Sequence, residues 1–154
     1  MAKIFETAEN IVDMVEEVFV SAGLSNYGLG LKVLSLTKAR DVVKISRASA
    51  TTNYLTKNKV DLTLFIYEEA FEKLPVETQR ILIEMVLSNV AYDTEKDRLN
   101  VEKNPYVQIF QMYKKYGKQF LDGLELSYEI VRQIEEAKKK EKEEEKENKK
   151  NKNK

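Results

Sequence analysis

"VDLTLFIYEEAFEKLPVETQRILIEMVLSNVA", residues 60–91, changes its hydrophobic period partway along. In its first eight residues the period is two. Val60, Leu62, Leu64 and Ile66 fall on one side of an extended chain, and Asp61, Thr63, Phe65 and Tyr67 on the other. A short helical turn, "EEAFEKLP", follows. Pro75 then suits the first turn of a helix, where its missing N–H costs nothing. From Val76 to about Ala91 the chain reads as that helix. Ile81, Leu82, Ile83, Met85, Val86, Leu87 and Val90 leave only Glu77, Arg80, Glu84 and Ser88 for water. A helix this apolar belongs at the centre of a core.

The flanking sequence supplies the other layers. Ala8, Ile11, Val12, Val15, Val18, Phe19 and Ala22 recur at helical spacing, and Gly23 stops that helix. "LKVLSL" and "DVVKISRAS" read as strands joined by a short basic link. "YDTEKDRLNV" reads as a turn leading into a short strand. "NPYVQIF" opens a long helical region interrupted near Gly117 and Gly123. The order predicts an α+β fold, a small sheet packed against a central apolar helix and flanked by N- and C-terminal helices. Residues 1–137 form one domain of a length that supports a single core. From Lys138 onward no apolar residue occurs, so 138–154 is expected as a charged flexible tail or a solvated helical extension.

Composition narrows the chemistry. Apolar residues make up 42% of the 154 and charged residues 34%, as in a soluble globular protein. No apolar run reaches the length of a membrane span, and "MAKIFETAEN" lacks a signal-peptide pattern, so a cytoplasmic location is expected. Neither cysteine nor histidine is present. Thiol nucleophiles, histidine-based triads and the usual zinc sites are therefore excluded. No cofactor is expected.

Charge is segregated although the total is zero. The tail from Lys138 carries nine Lys and five Glu, and the preceding 137 residues carry 17 basic and 21 acidic groups. Between Leu24 and Val60, seven cations (Lys32, Lys38, Arg40, Lys44, Arg47, Lys57 and Lys59) face one acid, Asp41. Tyr27 and Tyr54 interleave with them. Cations that track phosphates, beside rings that stack on bases, are the platform for single-stranded nucleic acid.

Two smaller motifs carry less. Gly28 and Gly30 form a lone G-x-G followed by a strand where a phosphate loop needs a helix. Asp93, Glu95 and Asp97 alternate like the first calcium-loop ligands, but Arg98 and Asn104 occupy the positions of the required Gly and Glu. A capped, solvated turn is the better reading of that segment.

From about Arg47 to Pro105, "RASATTNYLTKNKVDLTLFIYEEAFEKLPVETQRILIEMVLSNVAYDTEKDRLNVEKNP" resembles the phage metallopeptidase family, a group of small zincin-like domains. There a strand and a polar turn precede an apolar helix bearing His-Glu-x-x-His. The resemblance places that motif on Met85, Val86, Leu87, Ser88 and Asn89. In a zincin the two His bind zinc and the Glu activates water. Met85 and Val86 supply neither an imidazole nor a base, and Asn89 is a polar remnant. The resemblance thus implies a degenerate member, a phage-derived pseudoenzyme without peptidase activity.

The expectation is a binding protein for single-stranded nucleic acid, acting through Lys32, Lys44, Arg47, Tyr54, Lys57 and Lys59. The alternative is a protein-interaction or self-assembly module using Tyr106, Tyr113, Tyr116 and Tyr128 of the C-terminal helical region. No membrane partner is expected.

Overall fold

A computed structural model describes residues 2–57, 59–102 and 106–152, without the side chains of residues 106, 107 and 152. Strand β1 (Ile4–Glu6) leads into helix α1 (Glu9–Ser21), then β2 (Leu31–Leu36), β3 (Val43–Arg47) and α2 (Ala50–Leu55). Strand β4 (Leu62–Tyr67) and the short α3 (Glu68–Phe71) precede α4 (Val76–Leu87). A hairpin of β5 (Val90–Asp93) and β6 (Arg98–Val101) follows, then α5 (Tyr106–Tyr116) and α6 (Lys118–Lys152). The fold is α+β.

The main sheet has the order β1-β2-β4-β3, with β4 parallel to β2 and antiparallel to β3. Strand β4 is central and almost wholly buried. Leu62, Leu64 and Ile66 are closed off from solvent on one face, against Ile11, Val15, Leu82, Ile83, Val86 and Leu87. Fully burying a side chain of this size contributes about 1.5–3 kcal/mol, so this layer dominates the stability. Helix α6 completes the layer with Ile130, Val131 and Ile134.

Local chemistry sets the element boundaries. Gly23 ends α1 with φ +76°, and Gly117 separates α5 from α6 with φ +63°. Gly123 lies inside α6 and does not interrupt it, contrary to the sequence reading. A Cβ there would come 2.9 Å from the methyl carbon of Thr78, so Gly123 lets α6 lie close on α4. Between α3 and α4 the buried Gln79 amide donates to the carbonyls of Phe71 and Leu74 at 2.8 and 3.1 Å. The Phe71 carbonyl also accepts from the Leu74 N–H at 3.1 Å, so Gln79 adds a second bond there and reaches the Leu74 carbonyl past the helix end.

Helix α4 stops at Leu87, four residues earlier than the apolar pattern suggests. Val90 and Ala91 belong instead to β5, whose partner β6 makes a ladder of main-chain bonds there. Strand β1 and helix α2 are additional to the elements expected from sequence. The tail is helical as far as Lys152, continuing α6, and Lys138 fixes its root through Glu69 at 2.6 Å and the Tyr67 hydroxyl at 3.3 Å.

The parallel pair depends on Gly30. Its N–H donates to the Asp61 carboxylate at 2.7 Å, and its carbonyl accepts from the N–H groups of Asp61 and Leu62. A Cβ on Gly30 would lie 1.8 Å from the Lys59 carbonyl oxygen, a main-chain atom that cannot move alone. Gly30→Ala is therefore expected to cost at least about 2 kcal/mol, as forced overpacking of a fixed site does. Urea denaturation of the two proteins measures it, and a loss below roughly 0.5 kcal/mol would contradict this account.

Candidate functional site

The sheet covers one face with helices and leaves the other open. Cross-strand register places Lys44 beside Phe65, Phe65 beside Leu34, and Lys32 beside Thr63, with Ser46 on the far side of Thr63. Directly paired residues project to one face, so these side chains share a surface opposite the core. Leu34, Leu36 and Phe65 are half-buried and lie outside the core cluster, while Ile4 at the β1 edge is 60% exposed. Lys44 is exposed. Lys32 pairs with Glu6 at 3.1 Å, both side chains being largely in water. Such exposed pairs contribute about 0–1 kcal/mol, so a competing anion displaces Glu6 at small cost.

The six residues expected at a nucleic-acid surface divide among three places. Lys32 and Lys44 share the open face, and Lys44, on the edge strand, also borders the cleft. Lys57 and Lys59 flank the link between α2 and β4, at the end of the sheet where Gly30 meets Lys59. Tyr54 on α2 is 83% exposed. Arg47 ends β3 three residues after Lys44, so it projects toward the helical side and lines a cleft there. Tyr27 does not join the basic strands; its ring packs against Tyr92 at 5.2 Å. Phe65 is absent from the set expected from sequence, yet the alternation of residues 60–67 already turns it away from the core.

The cleft, of 740 Å³, lies between β3, the end of α4, the end of β6 and helix α6. The three positions that the resemblance aligns with a metal motif, Met85, Val86 and Asn89, all line it. Met85 and Val86 come from the last turn of α4. Asn89 lies beyond the helix end, where its N–H reaches the Val86 carbonyl at 3.2 Å and its carbonyl accepts from Glu102 at 2.8 Å. The Asn89 amide oxygen is buried and has no hydrogen-bond partner among the described residues. At the rim, burial and then the neighbouring Asp41 carboxylate raise the pKa of the Tyr128 hydroxyl, which stays protonated.

Elsewhere the acidic and tyrosine-rich segments have structural partners. The Asp93 carboxylate accepts from the N–H groups of Glu95 and Lys96 at 3.1 and 3.2 Å, and the Tyr92 hydroxyl bonds to Asp97. Asn104 lies outside the described residues. Among those described, no three side chains of His, Cys, Asp or Glu gather closely enough to hold a metal ion. The Tyr116 hydroxyl and Lys115 both donate to Glu84, tying α5 to α4. Tyr113 is 46% exposed, Tyr128 borders the cleft, and the Tyr106 side chain is outside the described set. Tyr116 and Tyr128 thus serve different places, one the α4–α5 contact and the other the cleft.

No family model, no curated protein and no solved structure matches the chain. Among the described residues no helix is long and apolar enough to cross a membrane.

A buried polar atom without a partner costs about 1–3 kcal/mol. Replacing Asn89 by an apolar residue of similar size removes that cost, so Asn89→Leu is expected to leave stability unchanged or raise it by about 1 kcal/mol. Chemical denaturation decides between this and a structural amide, whose loss would destabilise by a similar amount.

Proposed function

We propose that the protein binds single-stranded nucleic acid across the open face of its sheet, on a scaffold similar to a zincin-like domain whose metal site has been erased. The observation that carries this reading is Phe65. It stands half-buried on the central strand, directly beside the exposed Lys44 and one row from Lys32. A base stacking on that ring would have its phosphates within reach of cations on the two flanking strands. The partly exposed Ser46 lies on the same face, beside the buried Thr63. Base–aromatic stacking contributes about 1–3 kcal/mol per base and tolerates any sequence. Lys57, Lys59 and Tyr54 extend the basic surface past the end of the sheet, where a strand longer than a few nucleotides would run.

On this reading the chain is not an enzyme. Met85, Val86 and Asn89 cannot hold a catalytic zinc, and the molecule acts by binding alone, in the cytoplasm, or in a host cytoplasm if it is phage-encoded. A protein-interaction role through the C-terminal helices has one observation in its favour, the exposure of Phe110 (59%), Tyr113 (46%) and Leu121 (45%). Those residues carry no complementary charge pattern, whereas the sheet face combines ring and cations.

Fluorescence anisotropy with a labelled single-stranded oligonucleotide tests the proposal. Affinity is expected to fall steeply with salt, as counterion release requires. Phe65→Ala should weaken binding about tenfold, the equivalent of one stacked base. Lys44→Glu should weaken it for every sequence and flatten the salt dependence by about one unit of slope or more. Binding that ignores both substitutions, or that is undetectable at low ionic strength, removes the proposal.

A further inference from the structure

The cleft beside β3 has features that binding on the open face leaves unused. Its lining mixes polar residues with apolar ones, among them Ile45 of β3, Met85 and Val86 of α4 and Leu124 of α6. Its volume of 740 Å³ falls within the range of sites that enclose a small organic group. Arg47 stands exposed at its rim, with no carboxylate partner among the described residues. Asn89 contributes the one buried amide oxygen on this wall that lacks a hydrogen bond.

The shape of the cleft restricts its occupant. Strand β3 is an edge strand, so its outer main-chain groups are free of sheet partners. An added strand would need about 4.8 Å on each side, or about 9.6 Å between its two neighbours. Strand β6 approaches β3 to within 8 Å between Cα atoms, which leaves no room for an inserted strand at that point. An extended peptide paired to the β3 edge is therefore disfavoured there.

We infer that the cleft receives one nucleotide of the bound strand, its base lying between Ile45 and Met85 and its phosphate on Arg47. This inference rests on the nucleic-acid reading of the open face. A nucleobase combines apolar faces with polar edges, and aliphatic and thioether side chains suit the faces. The Asn89 amide offers both a donor and an acceptor, and rotation about its terminal bond exchanges the two, so it can meet a base edge. The guanidinium of Arg47 is suited to a phosphate because it presents paired donors. Lys44 and Arg47, on opposite faces of one strand, let a single backbone pass over the β3 edge with one base on Phe65 and another in the cleft.

The test uses the full chain and two ligands, a labelled oligonucleotide and the separate nucleoside 5′-monophosphates AMP, CMP, GMP and UMP. Calorimetric or NMR titration should show that at least one monophosphate binds. Arg47→Gln and Asn89→Ala should each weaken it about tenfold, the loss of one charge-assisted or buried hydrogen-bond contact. Phe65→Ala should weaken the oligonucleotide, and in that background Arg47→Gln should still weaken the monophosphate that binds. Thermal melts confirm that each variant is folded, and the exposed Arg47 is the safer of the two cleft positions. If the oligonucleotide binds through Phe65 but neither cleft substitution affects any ligand, the inference is overturned and the open-face reading stands. Monophosphate binding that ignores Arg47 and Asn89 also overturns it. Failure of every ligand to bind removes both readings.

Discussion

The parallel pairing of β2 with β4 rests on a contact that only glycine permits. At Gly30 the main chain meets the Lys59 carbonyl at a distance no Cβ could share, and the Asp61 carboxylate holds the Gly30 N–H. Parallel strands far apart in sequence have no hairpin to fix their register. Here the register is fixed at the mouth of the pair, by three hydrogen bonds between Gly30 and residues 61–62. A slip of one residue would send Leu62, Leu64 and Ile66 to the open face and Phe65 into the core. The same contact explains the G-x-G of the sequence. Its second glycine serves close approach, and its N–H, which a phosphate loop would need free, is already held by a carboxylate.

Everything functional in this reading follows from where β4 is inserted. Because β4 returns between β2 and β3, it becomes the most buried strand and leaves β3 on the edge. Helices α1, α4 and α6 then cover a single face. The opposite face keeps Leu34, Leu36 and Phe65 half-buried, a floor too small to recruit a second helical layer but able to support flat, stacked groups. On the helical side, the early end of α4 matters equally. Had the helix continued through Ala91, its last turn would occupy the place that β5 and β6 take beside the cleft. The ladder between Val90–Asp93 and Arg98–Val101 instead bends the chain back, and Asn89 is left at the corner with an unsatisfied amide oxygen.

How much of this could be read from the sequence depended on whether the signal was local. Strands β2, β3 and β4 and the starts of α1 and α4 follow from periodicity that one segment contains. Strand β1 does not, because its three residues are all exposed and become a strand only by pairing with β2. Helix α2 has no buried residue and no apolar stripe; the Ser49 hydroxyl capping it, accepting from the Thr52 N–H, is its main local cause. The end of α4 was misread because Val90 and Ala91 continue an apolar helical pattern, while the competing ladder depends on β6, eight residues away. Gly123 was misread for a related reason. A glycine in a helix normally weakens it, and only the position of Thr78 on another helix shows that its missing side chain is what packing requires.

The candidate site shows the same division in sharper form. Composition located the cations, and strand periodicity assigned each to a face, but the two pieces of information have to be combined. Lys44 and Arg47 are three apart on one strand, so they cannot lie on one face. A basic edge strand of this kind is a different device from a basic face. It presents one cation beside an aromatic ring and another at the mouth of a cleft, with only the thickness of the sheet between them. Two contiguous but chemically distinct surfaces, one for stacking and one for enclosure, then meet along β3. On the proposed reading, that edge, rather than the number of lysines, is what a flexible polyanion would engage.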